Sequence, residues 1–294
     1  MNRKLVAGVD IGGSHITVAL VEPVTKRVID CTRKRRDIDA SADAGSLLDQ
    51  WSSLIKKSFA EVGKPVSEVG VAMPGPFDYE QGISFIQGQE KFDKLYGVNV
   101  KNELAERLGI DEDNIVFTND AECYLRGEVV SGAGIGYNRM IGLTIGTGLG
   151  SAIAIDGEVK DADLWRSKFK DAIAEEYLSA RWFIRRYSEL TGVVVKDVKQ
   201  LALLGREDSC AQNIFKEFSI NLGAFLLRHI MTHNLEMIIL GGNIAKSYSL
   251  FSSALNDYFI AEGITVEVRT AGLWEDAALI GGASRFFTKQ KELN

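Results

Sequence analysis

Cysteine is scarce in this sequence: Cys31, Cys123 and Cys210 are its three, and they stand far apart. That spacing supports neither a disulfide framework nor a cysteine zinc cluster, so three buried thiols are expected. Histidine is equally sparse, and His15, His229 and His233 suggest no metal triad. No apolar run reaches the roughly 18 to 20 residues of a membrane span, so no membrane association of that kind is expected. Positive charge is not in excess either. Forty acidic residues against 34 basic ones give a net charge of −6, which leaves no broad footprint for nucleic acid. The opening MNRKLVAGVDIGG runs directly into a glycine loop without a cleavage segment, which predicts a cytoplasmic protein.

What remains is a composition of 46% hydrophobic and 25% charged residues, enough over 294 residues for two lobes of about 100 to 150 residues. LVAGVDI (5–11) and ITVALVE (16–22) read as strands joined by GGSH, with a third strand over 27–35. Leu47, Trp51, Leu54, Ile55 and Phe59 recur at helical spacing, VSEVGVAM (66–73) reads as a strand ending in PGP, and NIVFT (114–118) as another. A helix over 121–130 follows. The second half repeats the layout, with strands at 140–146 and 151–159 hinged on GTGLG. An amphipathic helix is expected over 168–190, helices over 196–205 and 208–233, a buried strand over 236–242 and a terminal helix over about 275–290. This is an α/β pattern of two lobes, 1–118 and 119–274, with the terminal helix packing back on the first.

Three glycine loops draw attention. Asp10 with Gly12, Gly13 and Ser14 sits at a hairpin turn, where backbone N–H groups can approach an oxyanion and a carboxylate can hold magnesium; a plain tight hairpin has the same residues. The run Thr144 to Gly150, with Gly146, Thr147 and Gly148, offers a second set of amides and hydroxyls, and Gly241-Gly242 closes a buried strand before a helix. Together they point to a nucleotide. In FTNDAECYLRGE (117–128), Asn119 and Asp120 stand at a strand-to-helix junction, where either can cap the helix or face a ligand.

Taken in order, VDIGGSHITVALV, VGVAMPGPFD, VFTNDAECYLRGE, GLTIGTGLGSAIAIDGEV, IILGGNIA and GLWEDAALIGGA resemble the ROK family of bacterial sugar kinases and related repressors. The resemblance implies two ribonuclease H-like lobes of the actin, hexokinase and heat-shock ATPase type, facing an interlobe cleft. It implies ATP and Mg²⁺ as cofactors, with Asp10 and the first glycine loop at the phosphates and metal. The loop from Gly146 to Gly150 would hold phosphate, and Gly241-Gly242 would lie near adenosine. Ala72–Pro76 and Gly281-Gly282 resemble the family's interlobe connections. Asn119 would bind the sugar, and Asp120 would accept the proton of the attacking hydroxyl. A glucokinase-like reaction and a homodimer are the expectations, with a kinase for an N-acetylated hexosamine or another sugar as the alternative.

The chain departs from the family after its second glycine loop. Residues 157–183 hold no Glu-x-Gly-His segment and no cysteine-rich loop, so structural zinc is not expected and part of the sugar contact is missing. Asp161, Asp163, Trp165, Arg166, Lys168, Glu175 and Glu176 are the residues at hand to replace it, with Glu175 taken as a sugar contact. The basic run Arg33-Lys34-Arg35-Arg36 can meet a phosphate or remain a solvated strand. A sugar-responsive repressor would carry an added N-terminal helix-turn-helix domain, and with VAGVDIGG beginning by residue 6 a DNA-binding role is not expected. A noncatalytic sensor on the same fold is the remaining competitor.

Overall fold

The computed structural model describes residues 4–89, 91–205 and 207–287. The chain forms two compact units, one running through Ile135 and resuming at Glu275, the other spanning Gly136–Trp274. None of the helices among the described residues is long and apolar enough to cross a membrane.

In the first unit, Val6–Ile11 (β1) and His15–Glu22 (β2) pair antiparallel from Val6↔Val21 to Ile11↔Ile16, turning on Gly12-Gly13-Ser14. The single third strand expected over 27–35 is broken into Arg27–Val28 (β3) and Lys34–Asp37 (β4), both paired with β2. Thr32 explains the break. Its hydroxyl accepts the Leu20 N–H at 2.9 Å and donates to the Ile29 carbonyl at 2.7 Å, replacing ladder bonds over the 3₁₀ turn Asp30–Thr32. Thr32 turns inward, which leaves its neighbour Cys31 exposed; Cys210 is half-buried and only Cys123 is buried, against the expectation of three buried thiols.

Ala44–Ala60 (α1) starts at Asp43, whose carboxylate accepts the Ser46 N–H, and buries Leu47, Trp51, Leu54, Ile55 and Phe59. Glu68–Met73 (β5), buried along its length, is followed by the small hairpin Phe77–Asp78 (β6) and Ile83–Ser84 (β7). Val100–Leu108 (α2), Ile115–Asn119 (β8) and Asp120–Ser131 (α3) complete this stretch. The sheet order β3-β2-β1-β5-β8 makes β1, β5 and β8 parallel, with Asp10 beside Ala72 and Met73 beside Asn119. Parallel neighbours need crossovers, which α1 and α2 supply. The carboxyl ends of the three strands therefore lie side by side, the usual place for a ligand in such sheets.

The second unit repeats the plan. Arg139–Ile145 (β9), Leu149–Ile155 (β10) and Glu158–Asp161 (β11) form an antiparallel meander. The expected long helix over 168–190 is absent. Lys168–Phe169 (β12) and Ala172–Ile173 (β13) form a hairpin, a 3₁₀ turn covers Ala174–Glu176, and the helix Ala180–Thr191 (α4) begins later. Tertiary contacts override the helical spacing here. Phe169 packs edge-on against Tyr177 and Phe225, and Lys170, at a left-handed φ of 54°, donates to Asn221 at 2.6 Å. Val198–Leu204 (α5) and Ser209–His233 (α6) follow, then Met237–Gly241 (β14), Gly242–Ala245 (α7), Ser252–Ala261 (α8) and Glu267–Thr270 (β15). The sheet order is β11-β10-β9-β14-β15, and Trp182, Phe183, Phe215, Phe218 and Phe251 fill the core beside it.

The chain returns to the first unit with Asp276–Ala283 (α9), buried from Ala277 onward. It touches α3 backbone to backbone, which only glycine allows: a methyl group on Gly127 would stand 2.0 Å from the Ala277 carbonyl oxygen, and one on Gly281 only 1.7 Å from that of Cys123. This contact moves the boundary. The lobe expected to end at residue 118 continues to Ile135, because α3 packs with α9 rather than opening the second unit. Gly281 and Gly282 are packing positions inside α9, and the chain passes between units at 135–136 and 274–275. The last part of the terminal helix, expected to reach about 290, lies outside the described residues from 288.

Candidate active site

Two strand ends build the first half of the site. Asp10 is the penultimate residue of β1, and Gly12-Gly13-Ser14 form the turn after it, closed by the Gly12 N–H on the His15 carbonyl at 2.9 Å. Gly13 and Ser14 are exposed, so their amides are accessible. Asn119 ends β8 and Asp120 begins α3. The β1–β5–β8 register brings Asp10, Asn119 and Asp120 to the same edge of one sheet.

The Asn-Asp junction divides its work. Asn119 is the cap: its Oδ1 accepts the N–H groups of Ala121 and Glu122 at 2.9 and 3.2 Å, while its Nδ2 donates to the Tyr79 hydroxyl at 3.3 Å. Tyr79 in turn donates to the Met73 carbonyl at 3.1 Å, tying the cap to the end of β5. Asp120 accepts the Ala121 N–H at 2.9 Å on Oδ1 and is also held by its own N–H, and the residue is exposed.

Electrostatics set the carboxylates apart from surface acids. Burial pushes the Asp10 carboxyl up to about 7, with the Asp120 charge acting in the same direction and Arg35 opposing. Surrounding protein also raises the Asp120 carboxyl, against its hydrogen bond from Ala121 and the positive charge of Lys91. Glu122 pairs with Arg126 at 2.9 Å, and Glu128 accepts the Ala133 N–H at 2.7 Å, so neither faces this edge as a base.

The second unit holds the other glycine residues. Thr144 lies beside Gly150 on β10 and beside Gly241 on β14, so three of the residues singled out by sequence meet across adjacent strands. Gly146 has open space where a side chain would be, and Thr147 is exposed. Gly242, at a left-handed φ of 77°, brings its backbone against Ile145, where a methyl group would stand 2.4 Å from the carbonyl oxygen. Glu175 belongs to this turn too. Its Oε2 accepts the Leu149 N–H at 3.0 Å and lies where a methyl group on Gly148 would point, and its Oε1 pairs with Arg181 at 2.6 Å.

Among the replacements weighed for the missing segment, Glu176 pairs with Arg185 at 2.8 Å, Asp163 pairs with Arg166, and Trp165 is exposed. The basic run is largely neutralised: Arg33 meets Asp276 at 2.6 Å, Lys34 meets Glu61, and Arg35 meets Glu275 at 3.6 Å. His15 lies beside Ser14, with its Nδ1 3.2 Å from the hydroxyl, and burial lowers its imidazole, helped by Arg35. Sequence reasoning missed Lys91. It has no motif around it, yet its stem lies over Gly13, with Cδ 3.4 Å from where a methyl group would be. Among the described residues no group of three acidic, histidine or cysteine side chains could hold a metal ion.

Comparison with known proteins bears on the family and the fold. The model of the ROK family matches residues 6–161. Glucokinase of Thermotoga maritima is 27% identical, covering 97% of this chain and 98% of its own. The ROK hexokinase structure from Thermus thermophilus superposes with a TM-score of 0.80 at 19% identity, over 98% of this chain and all of that one. A ROK family glucokinase from Streptomyces griseus, solved with glucose and AMPPNP, gives 0.76 at 22% identity, over 96% of this chain and 99% of that one. The fold is thus the α/β core of this group, of the actin and hexokinase type.

Proposed function

The chain belongs to the ROK family, and on that premise we propose that it is an ATP-dependent sugar kinase whose acceptor is the primary hydroxyl of a hexose, glucose first. The observation that carries the reading is the division at residues 119–120. Asn119 accepts two N–H groups at the helix N-terminus, while Asp120, sharing the Ala121 N–H, is exposed at the same strand end. A general base needs such access to the acceptor hydroxyl.

In this reading the sugar hydroxyl loses its proton to Asp120 as its oxygen attacks the γ-phosphorus. The remaining Nδ2 hydrogen of Asn119 donates to a neighbouring hydroxyl of the sugar. The turn of Gly12, Gly13 and Ser14 faces the phosphates on one side, with the Gly12 N–H spent on the His15 carbonyl and the exposed Gly13 and Ser14 nearest the ligand. Thr144, Gly146, Thr147, Gly148 and Gly150 serve phosphate from the second unit, with Gly241 and Gly242 at the adenosine. Asp10 fits a magnesium site: its carboxyl is held near 7 by burial and by Asp120, a cost that a bound divalent cation offsets. Magnesium takes few protein ligands beside phosphate oxygens, and when bound it would screen the developing negative charge.

Glu175 supports its glycine turn, so its proposed role at the sugar requires it to give up the Leu149 N–H. The same contact favours the second reading, a nucleotide or sugar sensor, since a carboxylate on that amide competes with phosphate. The test is sugar phosphate formation with Mg²⁺ and ATP over free hexoses and N-acetylated hexosamines, with ADP release followed separately. Asp120→Asn should lower kcat by about 10²- to 10⁴-fold at unchanged Tm. Wild-type turnover in that variant would end the assignment of the base, and ATP binding without transfer to any sugar would favour the sensor.

A further inference from the structure

Resting on the kinase reading, we infer that Lys91 is a further residue of the transfer site, whose ammonium contacts the phosphoryl group in transit and stabilises its charge. Four observations lead there. The stem of Lys91 lies over Gly13, with Cβ and Cδ 4.0 and 3.4 Å from where a methyl group would stand, in a turn whose amides are open. Its charge reaches Asp120, at the carboxyl end of β8 in the same sheet. Lys91 is half-buried, and its ammonium has neither a hydrogen bond nor an ion pair among the described residues. By contrast, Arg33, Lys34 and Arg35 of the basic run each have a carboxylate partner. A half-buried ammonium with no hydrogen bond or ion pair among the described residues is open to an anionic ligand.

The backbone holds this lysine in place. Phe92, the next residue, adopts a left-handed φ of 58°, which an aromatic residue rarely tolerates. Its ring is fully buried edge-on to Trp51 at 5.7 Å, its N–H donates to the Ala40 carbonyl at 2.8 Å, and its carbonyl accepts the Leu95 N–H at 2.9 Å. Local strain persists where the surroundings over-determine it, often beside functional groups. Here it fixes the segment that carries Lys91 over the Gly13 turn.

Gly13 is assigned to the nucleotide phosphates and Asp120 to the acceptor, so a cation whose stem lies over the first and whose charge acts on the second meets the group that passes from one to the other. The sugar oxygen forms its bond to the γ-phosphorus, the bond from that phosphorus to the bridging oxygen breaks with its electron pair leaving on ADP, and the hydroxyl proton goes to Asp120. Lys91 gives up neither proton nor electrons; it offsets negative charge on the equatorial oxygens, where fixed donors act most strongly.

Steady-state kinetics of the full chain with Mg²⁺, ATP and the accepted sugar test this, using Lys91→Met, Lys91→Gln and Lys91→Arg, with Tm measured for each. The expected result is a loss of about 100-fold in kcat for Met and Gln with the sugar KM near the wild-type value, and substantial recovery in Arg. Wild-type kcat in Met or Gln, with Asp120→Asn inactive, overturns the role of Lys91 while leaving the kinase reading intact. Equal losses in Met, Gln and Arg with a lowered Tm overturn it as well, since they mark a structural residue. If the wild type forms no phosphate on any sugar, the kinase reading falls and the inference falls with it.

Discussion

At the scale of single residues, Asp10 makes the most direct solution prediction. Its carboxyl is held near 7 in the folded protein, above its ordinary 3.8, so the folded state binds more protons than the unfolded chain between those values. Stability from this group is complete below the unfolded value and is lost as pH rises through about 7. The magnesium-free wild type should therefore lose Tm between about pH 5 and about pH 8, and Asp10→Asn should flatten that decline. Equal slopes in thermal scans of the two proteins would show that Asp10 is not the group responsible. Asp10, Asn119 and Asp120 were legible because each sits beside a glycine turn or a strand-to-helix junction. Lys91 was not, because what places it is the buried Phe92 and the fold of the loop, neither of which leaves a pattern in sequence.

At the scale of elements, the glycines of α3 and α9 act through contact rather than flexibility. Gly127 stands where a methyl group would overlap the Ala277 carbonyl oxygen at 2.0 Å, and both atoms there belong to backbone that cannot rotate away. Gly127→Ala should destabilise the protein by about 1–3 kcal/mol, read as a lower midpoint in urea unfolding at constant m-value. An unchanged midpoint would mean that the helices separate without cost. The strands and α1 were legible from alternation and three-to-four spacing, since their buried faces match the periodicity. The stretch 168–190 misled because its aromatics also recur at helical intervals. Phe169 and Tyr177 are instead brought together by a hairpin, and the helix waits until Ala180.

At the scale of the whole molecule, the two units share one plan: a hairpin turning on glycine, then parallel strands whose carboxyl ends lie beside that turn. The repetition was visible in the order of motifs, whereas the boundary was not, because the packing that carries α3 into the first unit depends on a helix that returns from the far end of the chain. The kinase reading takes each of the two turns as a phosphate-binding loop. Adding side chains at Gly13 and at Gly146 makes this testable, since both positions are exposed or open and neither has a left-handed φ. Gly13→Val and Gly146→Val should each raise the KM for ATP by about tenfold, a loss of about 1.4 kcal/mol apiece. If the two sites act on the same phosphates, the effects should depart from additivity in the double variant, as neighbours sharing a ligand do. Strict additivity in kcat/KM would mean that the turns act independently, and a normal KM in one single variant would confine the nucleotide to the other unit.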